Sequence, residues 1–405
     1  MTSPRLLALA PFPPRVDANH GGSRAVAELL ARLGTRHPVA LLALRGRDEP
    51  PVDDTLRACC ELVREIPRPE PGAGGLAGDL RVALALARGT PMWVSRWRVP
   101  AFRSAVAELA GSWRPDVVQA EYHLMAQYFD AGGRAPARVL RQLEPGAATA
   151  RERGALRRGA ARAITTVDGW AWRRYEGRAM RSADAVATLT VQDADRLRPL
   201  AGDTPLVTIP LGVAIPERAA DPRGREDTTV LFVGNFIHPP NQDAAARLVT
   251  AIFPLVRASL PNAKLRIVGP NPGAGLLAAA DAAVTVTGEV PAVWDHLEDA
   301  AVVIAPLRLG GGMRVKVAEA LAAGKAVVAT PLAAEGLRLT DGVHARIAST
   351  DAELAGAVVE LLLSPERRIA LAGRARGWAE RELSWEAPVA AFERLYETLL
   401  RDRRS

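Results

Sequence analysis

Short apolar runs alternate along this chain with longer stretches, rich in Ala, Leu and Arg, that have helical character. A strand is predicted at Arg5 to Ala10, then a loop with Gly21-Gly22, a helix ending near Leu33, and a second strand at Pro38 to Leu44. Further strands are expected around Val63, Val117, Val139, Val186 and Val207, with helical stretches between them. Strand alternating with helix argues for a parallel α/β sheet. Residues 67–79 (PRPEPGAGGLAGD) read as a flexible loop, and the polar, proline-broken stretch 210–229 as a linker. The pattern restarts at Val230–Val233 and continues at Leu265–Val268, Val284–Thr287, Val302–Ala305, Val327–Ala329 and His344–Ile347. Three helical stretches fill residues 351–400. The expected organisation is an N-terminal Rossmann-like domain over 1–212, a second over 213–385 and a C-terminal helix over 386–405 that packs back on the first. Two α/β domains of similar size would face a cleft.

Residues 301–330, AVVIAPLRLGGGMRVKVAEALAAGKAVVAT, concentrate the chemistry. An apolar strand (Ala301 to Leu307), a glycine turn (Gly310, Gly311, Gly312), a helix (Met313 to Ala323) and another strand (Ala326 to Thr330) make a βαβ unit, whose strands must be parallel. Ligands of such sheets sit beyond the carboxyl ends of the strands. The turn bares backbone N–H groups at a helix N-terminus, which suits phosphate. Arg314 and Lys316 add positive charge in the first helical turn, and Glu319 follows where a carboxylate can accept hydrogen bonds from sugar hydroxyls. Cations for a diphosphate beside a carboxylate for a ribose suggest a nucleotide-sugar site. The P-loop pattern is excluded, because Gly324-Lys325 is followed by Ala326 and Glu319 stands where its first glycine belongs. The GxGxxG fingerprint is excluded too, since Val315 holds its third glycine position.

Composition narrows the field. The chain of 405 residues is 48% hydrophobic and 24% charged, an ordinary globular balance. Its basic charge is almost all arginine: Lys264, Lys316 and Lys325 are the three lysines, so Lys316 beside the glycine turn stands out. The net charge of +7 comes from residues 134–181, with 12 arginines against 4 acidic residues, and no aromatic-basic motif of a nucleic-acid-binding fold accompanies it. No nucleic-acid partner is therefore expected. Cys59 and Cys60 are adjacent, so a disulfide between them is not expected, and no Cys/His cluster has zinc spacing. The first residues are too short and proline-broken for a signal peptide, and no apolar run reaches 18 residues. A cytoplasmic protein is expected. The mixture of Arg151, Arg153, Arg157, Arg158 and Arg162 with Trp170, Trp172, Arg173, Arg174 and Tyr175 adds an expected peripheral contact with anionic lipid on the inner membrane face.

The second half carries, in order, PLGV (210–213), VLFVGNFIHPPNQDAAARL (230–248), LRIVGPNP (265–272), VTVTGEV (284–290), residues 302–337, DGVHA (341–345) and SW (384–385). Through these segments it resembles glycosyltransferase family 4, the retaining group-1 transferases of the GT-B fold. The first half is similar through GGSRAVAELLARL (21–33), PDVVQAEY (115–122), RRYE (173–176) and ADAVATLT (183–190). The resemblance implies two Rossmann-like domains with C-terminal helices, and a nucleotide-sugar held mainly by the second domain. It assigns Glu319 to the ribose and Arg314 and Lys316 to the diphosphate. Gly234, Asn235, Gly269, Pro270, Glu289, Val290 and the Gly310–Met313 turn become donor-site positions, with Gly21 and Gly22 approaching the diphosphate and acceptor. Near the reacting sugar, Glu121 and His123 both remain candidates. The chain departs from the family pattern at Gly311, where the first glutamate of its paired-glutamate signature belongs.

The implied activity is retaining transfer of a sugar from a nucleoside diphosphate donor to the hydroxyl of a glycan, a lipid-linked or a small-molecule acceptor. Arg314 and Lys316 would stabilise the leaving diphosphate. Neither a cofactor nor a metal is implied, since protein cations take the metal's place. A nucleotide-sugar epimerase or hydrolase of the same fold is the alternative, as is a non-catalytic partner subunit, which Gly311 would favour.

Overall fold

The computed structural model describes residues 3–18, 21–69, 84–133, 136–143, 146, 160–309 and 315–403. The chain divides into two units, Met1–Pro210 with Pro388–Ser405, and Leu211–Ala387.

The first unit holds seven parallel strands: β1 (Leu6–Ala10), β2 (Val39–Arg45), β3 (Leu62–Pro67), β4 (Val117–Glu121), β5 (Ala137–Gln142), β6 (Ala185–Thr188) and β7 (Leu206–Thr208), ordered β3-β2-β1-β4-β5-β6-β7. LLALA of β1 is buried throughout, and β2 is buried but for its last residue. Continuous apolar strands of this kind suit a parallel sheet covered on both faces. The strand order reverses between β1 and β4, and such reversals open a crevice at the carboxyl ends of the strands.

The closing helix Glu386–Asp402 joins the first unit from Pro388 onward. Its Tyr396 hydroxyl donates to Gln119 Oε1 at 2.6 Å, and the Phe392 ring lies 5.7 Å from the Arg141 guanidinium. Glu393 pairs with Arg36 at 3.3 Å and His37 at 3.1 Å.

The second unit has six parallel strands: β8 (Glu226–Val233), β9 (Lys264–Val268), β10 (Val284–Val286), β11 (Ala300–Ala305), β12 (Ala326–Ala329) and β13 (Arg346–Ile347), ordered β10-β9-β8-β11-β12-β13. Here the order reverses between β8 and β11. Helices Asp351–Leu363 and Pro365–Glu382 follow, the first opened by a capping box in which Thr350 and Glu353 satisfy each other's backbone N–H.

Three expectations change. Stretch 210–229 is not a free linker: Leu211 and Val213 are buried, and Val213 N–H donates to Leu383 O at 2.8 Å. Gly212 lies so close to Trp385 that a Cβ would come within 2.4 Å of its ring, so PLGV and the closing SW meet across the second unit. The end of that stretch is strand, because Glu226 pairs with Arg266 of β9 at 3.0 Å and its polarity is satisfied in place. In the arginine-rich segment, residues 151–159 lie outside the described residues. The helix Ala160–Arg181 buries Trp172 and Tyr175 in the core, leaving Trp170 as the exposed ring of the three. Among the described residues no helix is long and apolar enough to cross a membrane.

Candidate functional site

In the second unit the loops at the carboxyl ends of β8, β9 and β10 are laced by backbone bonds. Gly234 N–H donates to Val268 O at 2.9 Å, Phe236 N–H to Pro270 O at 2.9 Å and Gly269 N–H to Gly288 O at 2.9 Å. These bonds gather Gly234, Asn235, Gly269 and Pro270 on adjacent strand ends, and Glu289 and Val290 follow Gly288 in the third loop. Gly269 adopts φ +140°, and a Cβ there would stand 1.9 Å from the Gly234 carbonyl oxygen. Only glycine allows the two loops to approach so closely.

β11 ends beside β8, and after it come Gly310, Gly311, Gly312, Met313 and Arg314, which lie outside the described residues. The helix Val315–Ala322 then begins, burying Val317, Ala318, Ala320, Leu321 and Ala322. That leaves Lys316 and Glu319 half-buried on the opposite side, three residues apart and hence neighbours on one face. The Lys316 ammonium donates to Asn241 Oδ1 and sits 5.1 Å from the centre of the Phe232 ring. Gly234 makes room for it, since a Cβ at that position would lie 3.3 Å from the ammonium nitrogen. Asn241 is itself held, its amide donating to Asn235 O at 2.7 Å, while Asn235 Oδ1 accepts the Ile237 N–H at 3.0 Å. A cation is thus fixed at the crevice where the sheet reverses, with a carboxylate one turn away. The loop after β12, which carries Glu335, is tied to the same end of the sheet through Thr330 N–H on Ala305 O at 3.2 Å.

The first-unit candidates are placed differently. Gly21 and Gly22 open the helix Gly21–Gly34, and nothing lies within 4 Å of a Cβ built on Gly21. Glu121 ends β4 with no exposure. Its Oε1 accepts Gln119 Nε2 at 2.6 Å and its Oε2 accepts Arg141 Nη1 at 3.1 Å, while Arg141 also donates to Ala25 O at 3.3 Å. His123 is buried as well, its ring 4.8 Å from that of Trp172 and edge-to-face. Both candidates are therefore interior groups of the first unit, although the sequence presented them as residues at a reacting centre. A strand end within a sheet covered by helices offers as much core as surface.

Tyr122, between them, has φ +69° and lines a cavity of about 770 Å³. The sequence reading missed this cavity, whose wall also includes Phe12, Trp93 and Trp97. It missed Asn241 and Phe232 too, the partners of Lys316. The MWVSRW segment was a signal for the first group, with two of the chain's eight tryptophans four residues apart. Nothing local marked Asn241. Among the described residues no three His, Cys, Asp or Glu side chains gather closely enough to hold a metal ion.

A family model described as "Glycosyl transferases group 1" matches residues 227–364, which span β8 to the helix Asp351–Leu363. No curated protein matches the chain. Among solved structures, the sucrose-phosphate synthase of Thermosynechococcus elongatus superposes with a TM-score of 0.70 at 17% identity, covering 98% of this chain and 100% of that one. HepE of Anabaena, solved in complex with UDP and glucose, gives 0.65 at 13% identity over 98% and 99%. WaaG, a glycosyltransferase involved in lipopolysaccharide biosynthesis, gives 0.63 at 16% identity over 95% and 98%. At such identities the likeness establishes the fold. Residues 227–364 of the second unit match the group 1 glycosyl transferases, and the chain as a whole has the GT-B fold.

Proposed function

We propose that this enzyme transfers a sugar from a nucleoside diphosphate-sugar to an acceptor hydroxyl with retention of configuration. The observation that carries the reading is the pairing of Lys316 and Glu319 on one helix face at the β8/β11 reversal, with Lys316 anchored by Asn241. The donor's diphosphate would meet Lys316, the backbone amides of the glycine turn, and Arg314 as its place in the sequence suggests. Glu319 would take the ribose hydroxyls. As the acceptor oxygen bonds to the anomeric carbon, the bond from that carbon to the diphosphate oxygen breaks, and the acceptor's proton leaves with the diphosphate. Negative charge develops on the leaving group, where a fixed cation stabilises the transition state more than the ground state. Removing one such donor typically costs about 10²–10³ in rate. The protein's own cations meet this charge, so the reaction is proposed to need no divalent metal. HepE, crystallised with UDP and glucose and with UDP-glucose, shares the fold and supports a nucleotide-sugar donor.

The test is calorimetry with UDP, GDP and TDP on the wild type and on Lys316→Ala. The wild type should bind at least one of them, and the variant should bind that ligand at least about tenfold more weakly, the equivalent of about 1.4 kcal/mol. A folded Lys316→Ala protein with unchanged affinity would remove Lys316 from the donor site. Donor consumed at the same rate with and without acceptor would favour hydrolysis or epimerisation.

A further inference from the structure

The cavity in the first unit lies at that unit's own reversal of strand order. Pro11, Phe12 and Pro13 come directly after β1, and Tyr122 directly after β4, so the crevice between these two strands is also where the cavity opens. Crevices at such reversals are the customary ligand sites of open parallel sheets. At about 770 Å³ it has the size of a site for a drug-sized molecule.

Its walls are aromatic. Phe12 and Tyr122 meet edge-to-face with ring centres 5.5 Å apart, and Trp93 and Trp97 do so at 5.7 Å. Both tryptophans come from the short helix Met92–Arg96 and its C-cap, which presents them together.

Among the described residues, the charged side chains of the lining come as two pairs. Arg15 donates to Asp17 through Nε at 2.8 Å and Nη2 at 2.6 Å. Arg68 donates to Glu49 at 2.7 Å and lays its guanidinium 4.3 Å over the Trp97 ring. The bond from Arg15 holds the Asp17 carboxyl below the usual carboxylate range, so that pair stays charged and mutually cancelled at neutral pH. A pocket that selects phosphate or carboxylate presents cations in excess of its carboxylates, since charge-assisted bonds to the anion provide the selection. Among the described residues of the lining two arginines meet two carboxylates, and the rest are aromatic rings, prolines, Ala18, Leu124 and Ser23, whose hydroxyl accepts the Arg15 N–H and donates to Pro13 O.

We propose that this cavity is the acceptor site and that the acceptor is an uncharged planar molecule, an aromatic aglycone bearing a hydroxyl group. Flat rings pack against the aromatic wall of Phe12, Trp93, Trp97 and Tyr122, while the hydroxyl is left for the donor. The word acceptor rests on the transferase reading above, whereas the binding itself does not.

Calorimetry without any donor separates the two. Quercetin serves as the planar hydroxylated probe, with glucose 6-phosphate and methyl α-glucoside as the charged and the uncharged saccharide. Quercetin should bind, and Trp97→Ala and Phe12→Ala should each weaken it about tenfold, the loss of one good aromatic contact. Trp97→Phe, which keeps a ring, should stay within about threefold and shows that the fold is intact. Glucose 6-phosphate or methyl α-glucoside binding more tightly than quercetin would overturn the assignment. So would no quercetin binding, or quercetin binding that ignores Trp97→Ala. UDP affinity measured on the same preparations keeps the readings apart. Lost UDP binding with retained quercetin binding counts against the donor site alone, and the converse counts against the cavity alone.

Discussion

Glu121 offers the sharpest choice between chemistry and architecture. In the structure it sits within one connected network: the Tyr396 hydroxyl donates to Gln119 Oε1, Gln119 donates to Glu121, Arg141 donates to Glu121, and Arg141 donates onward to Ala25 O. Glu121 and Arg141 are both essentially without solvent contact. Glu121→Gln removes the counter-charge from a buried guanidinium and turns an amide donor toward Arg141 or Gln119. Breaking one side of a buried pair costs about 3–5 kcal/mol, because the remaining charge is left uncompensated. For a unit of this size each kcal/mol lowers the melting temperature by about 2–4 °C, so a fall of about 6–20 °C is expected. Activity of the folded variant, measured well below its melting point, should stay within about threefold of wild type. A general acid or base would instead contribute about 10²–10⁴ to the rate. The double variant Glu121→Leu with Arg141→Met should recover much of the lost stability, since apolar replacement of a whole buried pair is often neutral. Thermal and urea unfolding beside initial rates provide the readout. A Glu121→Gln protein that melts with the wild type yet loses a hundredfold in rate would refute the structural reading.

Other outcomes follow from the second unit. Gly269→Ala puts a Cβ 1.9 Å from the Gly234 carbonyl at φ +140°, so the two loops must part; if they hold the donor as proposed, nucleotide affinity should fall by more than tenfold, and an unchanged affinity would show the loops are not part of that site. Glu319→Gln should weaken binding of nucleosides as well as nucleotides, since a ribose contact does not need phosphate; an effect confined to phosphate-bearing ligands, read by calorimetry, would move the role elsewhere. Lys325 is fully buried against the Asp221 carbonyl, and burial lowers its ammonium from 10.5 to about 8. Below pH 8 it is charged in both folded and unfolded chains, at a cost of ~3 kcal/mol to the fold. Between pH 8 and 10.5 only the unfolded chain holds the proton, so this residue makes stability rise with pH in that window. Lys325→Met should abolish the rise, and wild type and variant with parallel stability–pH curves would contradict it.

Local pattern was enough for the elements. Apolar runs such as LLALA and AVVIA, alternating with helical stretches, suit a covered parallel sheet, and the three closing helices stand where they were expected. The sequence also made candidates of Lys316 and Glu319, because two charges after a glycine turn at a strand-to-helix junction suggest a ligand, and the structure sets them on one helix face. It overread Glu226 as linker and Trp172 and Tyr175 as membrane-facing, since polarity and aromaticity do not reveal the partner that satisfies or buries them. What tertiary structure decided was which side chains meet. Glu121 became a core ion pair through Arg141 on the neighbouring strand and, by way of Gln119, Tyr396 on the closing helix. Lys316 acquired its anchor from Asn241, 75 residues away in sequence. Phe12, Trp97 and Tyr122 line one cavity because β1 and β4 flank the point where strand order reverses. Periodicity is a property of a few consecutive residues, whereas these encounters depend on the order in which the strands are laid side by side.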